Sequence, residues 1–302
     1  MKLKKQPLVA IVGPTASGKS ALAVGLARKF NGEIISADSR QVYRGLDIGT
    51  GKITKREQLG VPHHLIDVAE ARRQFSVVDF QRLAKTAIQK IAEKNRIPFL
   101  VGGTGFWIDA VAYDLRLPQV PPNRKLRAIL AAKSPAELMA ELKRIDPRRA
   151  KTIEQKNPRR LIRAIEIAKA IGRAPELKKR SPYRMLWIGV KPDDKKLKRL
   201  IRRRLFKHIG AGMILEAEKL KKNALSWKRF YELGLEYRFL ADYLRGQITK
   251  NELIGRLKTA TRQYARRQMT WFNRNHSINW VKNAEEAEKL ARNFLNPSPK
   301  SA

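Results

Sequence analysis

Eight residues near the amino end, Gly13-Pro14-Thr15-Ala16-Ser17-Gly18-Lys19-Ser20, constrain this chain more than any other stretch. They fit G-x-x-x-x-G-K-[ST], a phosphate-binding loop. The apolar run Leu8–Val12 before them reads as a short buried strand. Leu22, Leu26, Ala27 and Phe30 after them fall at helical spacing. Strand, glycine loop and helix is the context in which the motif has a mechanism. Gly13 and Gly18 let the backbone curl its N–H groups towards an anion, and the helix N-terminus adds partial positive charge. Lys19 supplies a full charge, and the Ser20 hydroxyl is placed to ligate Mg²⁺. A plain Gly-rich turn is the bland alternative, and the flanking strand and helix argue against it. The loop predicts a phosphate or diphosphate ligand without saying which.

The second constraint is charge. The 302 residues carry 65 Lys and Arg against 27 Asp and Glu, a formal net charge of +38. Residues 1–114 hold 18 basic and 10 acidic residues; the remaining 188 hold 47 and 17. Self-repulsion of this size works against compaction, so a polyanionic partner explains it better than solvated helix faces. The partner can be nucleic acid or an anionic membrane face. No apolar run is long enough to span a bilayer. There is no cysteine, which excludes disulfides and cysteine zinc sites and sits easily with a cytosol. The opening Met1–Gly13 has a short apolar part without a cleavage site and reads as the first strand, not a signal peptide.

Glu33–Ser36 reads as a second buried strand, with Asp38 just past its carboxyl end. Ligands of open parallel sheets sit beyond the carboxyl ends of the strands, so Asp38 is a candidate for the crevice of the phosphate loop. Capping a turn is an equally good reading of Asp38 from its residue type alone. His63 and His64, being adjacent, suit packing or hydrogen bonding better than a metal pair. Phe80, Leu83, Ala84, Ala87, Ile88 and Ile91 mark one helix face. Pro98–Val101 is a third strand, and Gly102-Gly103-Thr104-Gly105 a second glycine turn at a strand end.

From Leu115 the texture changes to Pro-broken short helices. Ser134-Pro135 and Asn157-Pro158 are helix starts, and Gly172 a stop. Arg159, Arg160 and Arg163 crowd one helix N-terminus, where cations are disfavoured unless an anion offsets them. Met185–Val190 restores strand character, as though the sheet resumes after an insertion. The remainder reads as helical and basic, with Arg202, Arg203 and Arg204 together. In the helix Thr259–Asn275, Arg262 pairs with Arg266 and Arg267 with Trp271 at i, i+4. Cations interleaved with aromatics suit RNA. The tail after Phe294 reads as disordered.

The ordered set GPTASGKS, ADSRQVYRGLDIGTGK, PHHLID, FSVVDF, VGGTG, NPRRLIRAIE and TRQYARRQMTWF resembles the tRNA dimethylallyltransferase family from Leu8 to Phe272. The resemblance implies an α/β fold: a P-loop-type parallel sheet flanked by helices, formed by residues 1–116 and 184–302, with an all-helical insertion at 117–183. It implies transfer of a dimethylallyl group from dimethylallyl diphosphate to N6 of adenosine 37 in the tRNA anticodon loop, with Mg²⁺, by a cytoplasmic, monomeric enzyme without a membrane partner. Asp38, Lys19, Thr15 and Thr104 would be catalytic, and Gly13 to Ser20 would hold the diphosphate, with Ser20 on the metal. The tRNA would be met by Asp38, Ser39, Arg40, Gln41, Thr104, Arg127, Arg159, Arg160, Arg163, Arg204, Tyr264, Arg266, Arg267 and Trp271. Where the family usually shows Leu-Tyr after GGTG, this chain has Phe106-Trp107. Rival readings are an isopentenyltransferase acting on free adenine nucleotides, a small-molecule P-loop kinase, and a non-catalytic RNA-binding protein with a nucleotide switch.

Overall fold

The computed structural model describes residues 5–176 and 179–296. Of the tail read as disordered, residues 297–302 lie outside the described residues, while Leu295 still ends the helix Ala284–Leu295. Among the described residues, no helix is long and apolar enough to cross a membrane. The chain divides into two compact units, Met1–Asp114 with Arg180–Ala302, and Leu115–Lys179.

The larger unit is built on one six-stranded sheet: β1 (Pro7–Val12), β2 (Gly32–Ser36), β3 (His63–His64), β4 (Ile97–Gly102), β5 (Arg184–Val190) and β6 (Ile278–Val281). The order is β3-β2-β4-β1-β5-β6, and every pair is parallel. Parallel strands need helical crossovers on both faces, so the central strands are buried on both sides and read as unbroken apolar runs. β1 illustrates this. Leu8, Ala10 and Val12 join the core that holds Phe80, Ala84, Ile88 and Ile91 of the helix Val77–Glu93. Val9 and Ile11 face the opposite layer, with Ala23, Val24, Leu26 and Ala27 of the helix Lys19–Lys29. The departure Phe106-Trp107 is absorbed by packing: Trp107 is buried and stacks on Phe80 at 4.5 Å between ring centroids.

Two strands escaped the sequence reading, β3 and β6. Each is short and lies at a sheet edge, so neither carries a long apolar run. The adjacent histidines hydrogen-bond at the sheet edge, as their spacing leads us to expect. His64 Nε2 lies 2.6 Å from Glu33 Oε2, and His63 Nδ1 2.8 Å from the Val61 carbonyl. Glu33, buried in β2, also accepts from Arg96 at 2.8 Å.

The register sets the functional end. Val12 pairs with Gly102, and Ser36 with Val101, so β1, β2 and β4 end level with one another. The phosphate loop, Asp38 and the Gly103-Thr104 turn therefore leave the sheet side by side.

The unit Leu115–Lys179 has its own small core of Leu130, Leu138, Leu142, Ala150, Leu161 and Ile165. Ser134 forms a reciprocal capping box with Glu137, Pro135 occupies the first turn, and Asn157 caps the helix Pro158–Ile171. Two of the three arginines crowding that helix start find anions within the unit. Glu166, one turn on and buried, accepts from Arg127 Nε at 2.9 Å and Nη2 at 2.8 Å, from Arg163 Nη1, and from the Asn123 N–H at 2.7 Å. Arg160 pairs with Glu154 at 2.8 Å. Arg159 is exposed, with no ion pair among the described residues.

Burial pushes the Glu166 carboxyl up, but Arg127, Arg163 and the Asn123 N–H outweigh it and hold the group at about 2. A depressed carboxyl contributes stability above its unfolded value of 4.5 and loses it as pH falls through the folded value. Glu166→Gln is expected to destabilise the insertion by about 1.5–3 kcal/mol at pH 7, the range for hydrogen bonds to a charged group. The gap to wild type should narrow as pH falls below 4.5. Hydrogen exchange of the insertion amides measures both; equal protection at pH 7 would contradict the assignment.

Candidate active site

Beyond the carboxyl ends of β1, β2 and β4 lies a cleft of about 440 Å³. Its lining includes Thr15, Lys19 and Ser20 of the phosphate loop, Asp38 to Gln41 after β2, Thr104 after β4, and Arg204, Glu236, Tyr264, Arg267 and Gln268 from helices. Asp38 and Glu236 are the two acids on this wall, against Lys19, Arg40, Arg204, Arg238 and Arg267. Such a cleft favours an anion while keeping a carboxylate within it.

The phosphate loop is tightly placed. Gly13 has a φ of 152°, and a Cβ there would lie 2.5 Å from the Val190 carbonyl oxygen, so the first loop position excludes any side chain. Among the described residues nothing hydrogen-bonds the buried Ser17 Oγ, an orphan that a phosphate oxygen in the loop would satisfy. Lys19 Nζ donates to the Pro14 carbonyl at 3.1 Å. Burial, and then the Arg204 guanidinium, bring the Lys19 ammonium down to about 8, with Asp38 acting in the opposite direction.

Helices distant in sequence hold the loop from outside. Gln268 Oε1 accepts from the Thr15 N–H at 2.8 Å while its Nε2 donates to the Gly103 carbonyl at 2.9 Å, so one buried amide spans the two glycine turns. Arg204 Nη1 donates to Thr15 Oγ1 at 2.9 Å, and Nη2 to the Thr50 carbonyl at 2.7 Å. Sequence placed Arg204 with the RNA contacts; the structure places it on the phosphate loop. Gln268 went unremarked in sequence. Its signal is the inward stripe of the helix Lys250–Phe272, which runs Leu253, Leu257, Thr261, Tyr264, Gln268 and turns polar where it reaches the cleft.

Asp38 serves both of its sequence readings. Oδ1 accepts from the N–H groups of Arg40 at 2.8 Å and Gln41 at 3.4 Å, forming an Asx turn. Among the described residues no hydrogen bond engages Oδ2, and the side chain lines the cleft. Thr104 Oγ1 accepts from the Ser39 N–H at 3.2 Å, tying the second glycine turn to the Asp38 loop. The Tyr264 phenol is pushed up by burial, with Asp38 raising it further, so it stays protonated beside that carboxylate. Glu236, a residue that sequence did not place in the site, is also pushed up, first by burial and then by Asp38, while Arg204 and Arg40 oppose.

Other expected residues lie elsewhere. Arg266 is exposed on a second cleft of about 340 Å³ with Pro14, Asp194, Lys198 and Arg262, away from Arg267. Trp271 packs edge-on against Phe106, 6.1 Å between centroids, with Arg274 5.7 Å from its ring. Arg127, Arg159, Arg160 and Arg163 belong to the insertion.

Only protonated Lys19 attracts an anion electrostatically, and its pKa of about 8 in the free protein puts the change within reach. Pyrophosphate affinity is therefore expected to fall as pH rises through 8, with proton uptake on binding above that pH. Lys19→Met should abolish that step. Calorimetric titration in buffers of different ionisation enthalpy reads it; a flat wild-type affinity from pH 7 to 9 would contradict the lowered Lys19 pKa, and unchanged affinity in Lys19→Met would contradict its role.

Residues 41–275 match the family model described as IPP transferase. The chain is 42% identical over 286 residues to the tRNA dimethylallyltransferase of Halalkalibacterium halodurans, covering 91% of each chain. It is 45% identical over 276 residues to that of a Roseiflexus species, covering 89% of this chain and 90% of the relative. Among solved structures it is similar to the full-length tRNA isopentenylpyrophosphate transferase of Bacillus halodurans, with a TM-score of 0.74 and 40% identity over 96% of this chain and 97% of that one. It is also similar to a eukaryotic dimethylallyltransferase captured acting on tRNA, with a TM-score of 0.85 and 25% identity over 97% of this chain and 80% of that one. With these matches spanning nearly its whole length, and with the phosphate loop and Asp38 sharing one cleft, the chain belongs to the IPP transferase family.

Proposed function

We propose that this protein transfers the dimethylallyl group of dimethylallyl diphosphate to N6 of adenosine 37 in the anticodon loop of tRNA, releasing diphosphate. The observation that carries the reading is the placement of a diphosphate cradle and a carboxylate in one cationic cleft, at adjacent strand ends. The named activities of the relatives and the strongly basic chain support it.

The chemistry follows from that placement. The bond from the allylic carbon to the diphosphate oxygen breaks, and its electron pair leaves with the diphosphate. Lys19, the loop N–H groups and Arg204 stabilise the departing charge, which is the main demand of an allylic displacement. The N6 lone pair of adenine forms the new bond to the same carbon. That amine is a weak nucleophile because its lone pair is delocalised into the ring. The Asp38 carboxylate accepts the N6 proton, making the attack and the proton loss compatible. Thr104 and the Asx turn hold the loop that carries Asp38, in a cleft it shares with Arg40, Arg204 and Lys19. The reacting base must leave the RNA stack to enter the cleft.

Mg²⁺ would enter this cleft together with the diphosphate. Among the described residues no cluster of three His, Asp or Glu could hold a metal alone, whereas the Ser20 hydroxyl lines the cleft and offers one hard oxygen ligand. When bound, such an ion neutralises leaving-group charge. In this reading Ser39, Arg40, Gln41, Tyr264 and Arg267 border the extruded nucleotide, and the exposed Arg159 and Arg266 meet RNA phosphates.

Transfer of labelled dimethylallyl to an anticodon stem-loop, with AMP as the competing acceptor, tests the substrate. Label on the stem-loop is expected, and turnover of AMP alone would overturn the reading. Asp38→Asn should slow transfer by roughly 10²–10⁴-fold, the range for losing general-base assistance, with stem-loop affinity little changed. Near wild-type transfer by this variant would remove Asp38 as the base.

A further inference from the structure

The loop from Leu46 to Lys52 meets the phosphate end through Thr50 and Gly51, which line the cleft, and one distant carboxylate helps to shape it. Glu216 lies in the first turn of the helix Met213–Lys222, the end at which a negative charge is favoured. Its Oε2 accepts from the N–H groups of Asp47 and Ile48, each at 2.7 Å, and its Oε1 from the N–H of Gly49 at 2.9 Å. Three successive backbone donors thus converge on one anion, as they do in an anion-binding nest. A fourth donor is the Tyr237 hydroxyl at 2.6 Å. Burial, with Glu216 beside it, pushes that phenol far up, so it remains a donor at every working pH.

The carbonyls that follow in this loop serve the cleft. Thr50 presents its carbonyl to Arg204 Nη2 at 2.7 Å, while Arg204 Nη1 reaches Thr15 in the phosphate loop at 2.9 Å. Gly51 presents its carbonyl to Gln41 Nε2 at 3.1 Å, three residues from Asp38. Arg204 packs close against Gly51: a Cβ there would be 2.3 Å from Nη2, and φ is +60°. The guanidinium thus depends on the path of residues 47–51, and that path depends on Glu216.

We propose that Glu216 is a positioning residue for the diphosphate end of the site, acting through the loop it organises to aim Arg204 at the phosphate loop. It touches no substrate. A carboxylate that merely tied helix to loop would affect folding alone; one that aims Arg204 affects anion binding, and only while Arg204 is present.

The inference rests on the cleft being a diphosphate site, so the readout is pyrophosphate binding to the full chain by calorimetry, not transfer. Glu216→Gln keeps the shape but replaces one acceptor with an amide donor facing other donors. It should weaken pyrophosphate binding about tenfold or more, as expected when a hydrogen bond to a charged group is lost. Arg204→Ala should weaken it comparably, and the double variant no further than Arg204→Ala, the signature of two residues acting as one unit. Additive losses, or unchanged binding in Glu216→Gln, would overturn the proposal. Should Glu216→Gln fail to fold, Tyr237→Phe removes one donor to Glu216; a loss of roughly threefold that vanishes in the Arg204→Ala background supports the proposal. Unchanged binding in Tyr237→Phe overturns it. Failure of the wild-type protein to bind pyrophosphate would instead sink the diphosphate reading of the cleft.

Discussion

Everything at the functional end of this molecule depends on the register of three parallel strands. Because Val12 stands opposite Gly102, and Ser36 opposite Val101, the chain leaves β1, β2 and β4 at one level. A one-residue slip would move each buried side chain to the opposite face of the sheet, so the two apolar layers enforce the register strongly. The fold stabilises itself by burying Leu8, Ala10 and Val12 on one side and Val9 and Ile11 on the other. Placement of Gly13, Asp38 and Thr104 side by side is a consequence of that packing.

The same juxtaposition creates an electrostatic problem that the site resolves with charge of both signs. Lys19 and Arg204 are brought together in a partly buried cleft, and the ammonium gives up affinity for its proton as a result. Such a pair is at ease only with an anion between its members. Asp38 and Glu236 lie on the same wall, and Asp38 offsets part of the repulsion felt by Lys19. A site destined for a diphosphate and a base to be deprotonated needs this mixture. The insertion handles its own arginines differently, spending Arg127 and Arg163 on buried Glu166. Part of the chain's basic excess is therefore structural.

What was legible in the sequence was local. The phosphate loop, the cap residues Ser134 and Asn157, and Asp38 at a strand end each express a physical demand satisfied within a few residues. What was not legible depends on partners far along the chain. Gln268 meets Thr15 across 253 residues, Arg204 meets Thr15 across 189, and Glu216 meets Asp47 across 169. A side chain aimed across the fold leaves no periodicity. The polar turn in the stripe Leu253–Gln268 was the one trace of such an arrangement, and it was overshadowed by the arginines on the neighbouring faces. Trp271 shows the converse: helical spacing paired it with Arg267, yet packing sets its ring against Phe106, whereas Arg262 and Arg266, paired by the same spacing, do share the second cleft.

The central claim is that the loop cradles a diphosphate that departs, not a nucleoside triphosphate that is hydrolysed. Its most direct test follows pyrophosphate release and N6-alkylated adenosine in the same reaction, with dimethylallyl diphosphate, an anticodon stem-loop and ATP all present. The account predicts one pyrophosphate released for each adenosine modified, with ATP untouched. Consumption of ATP without alkylation, or pyrophosphate release uncoupled from modification, would contradict it.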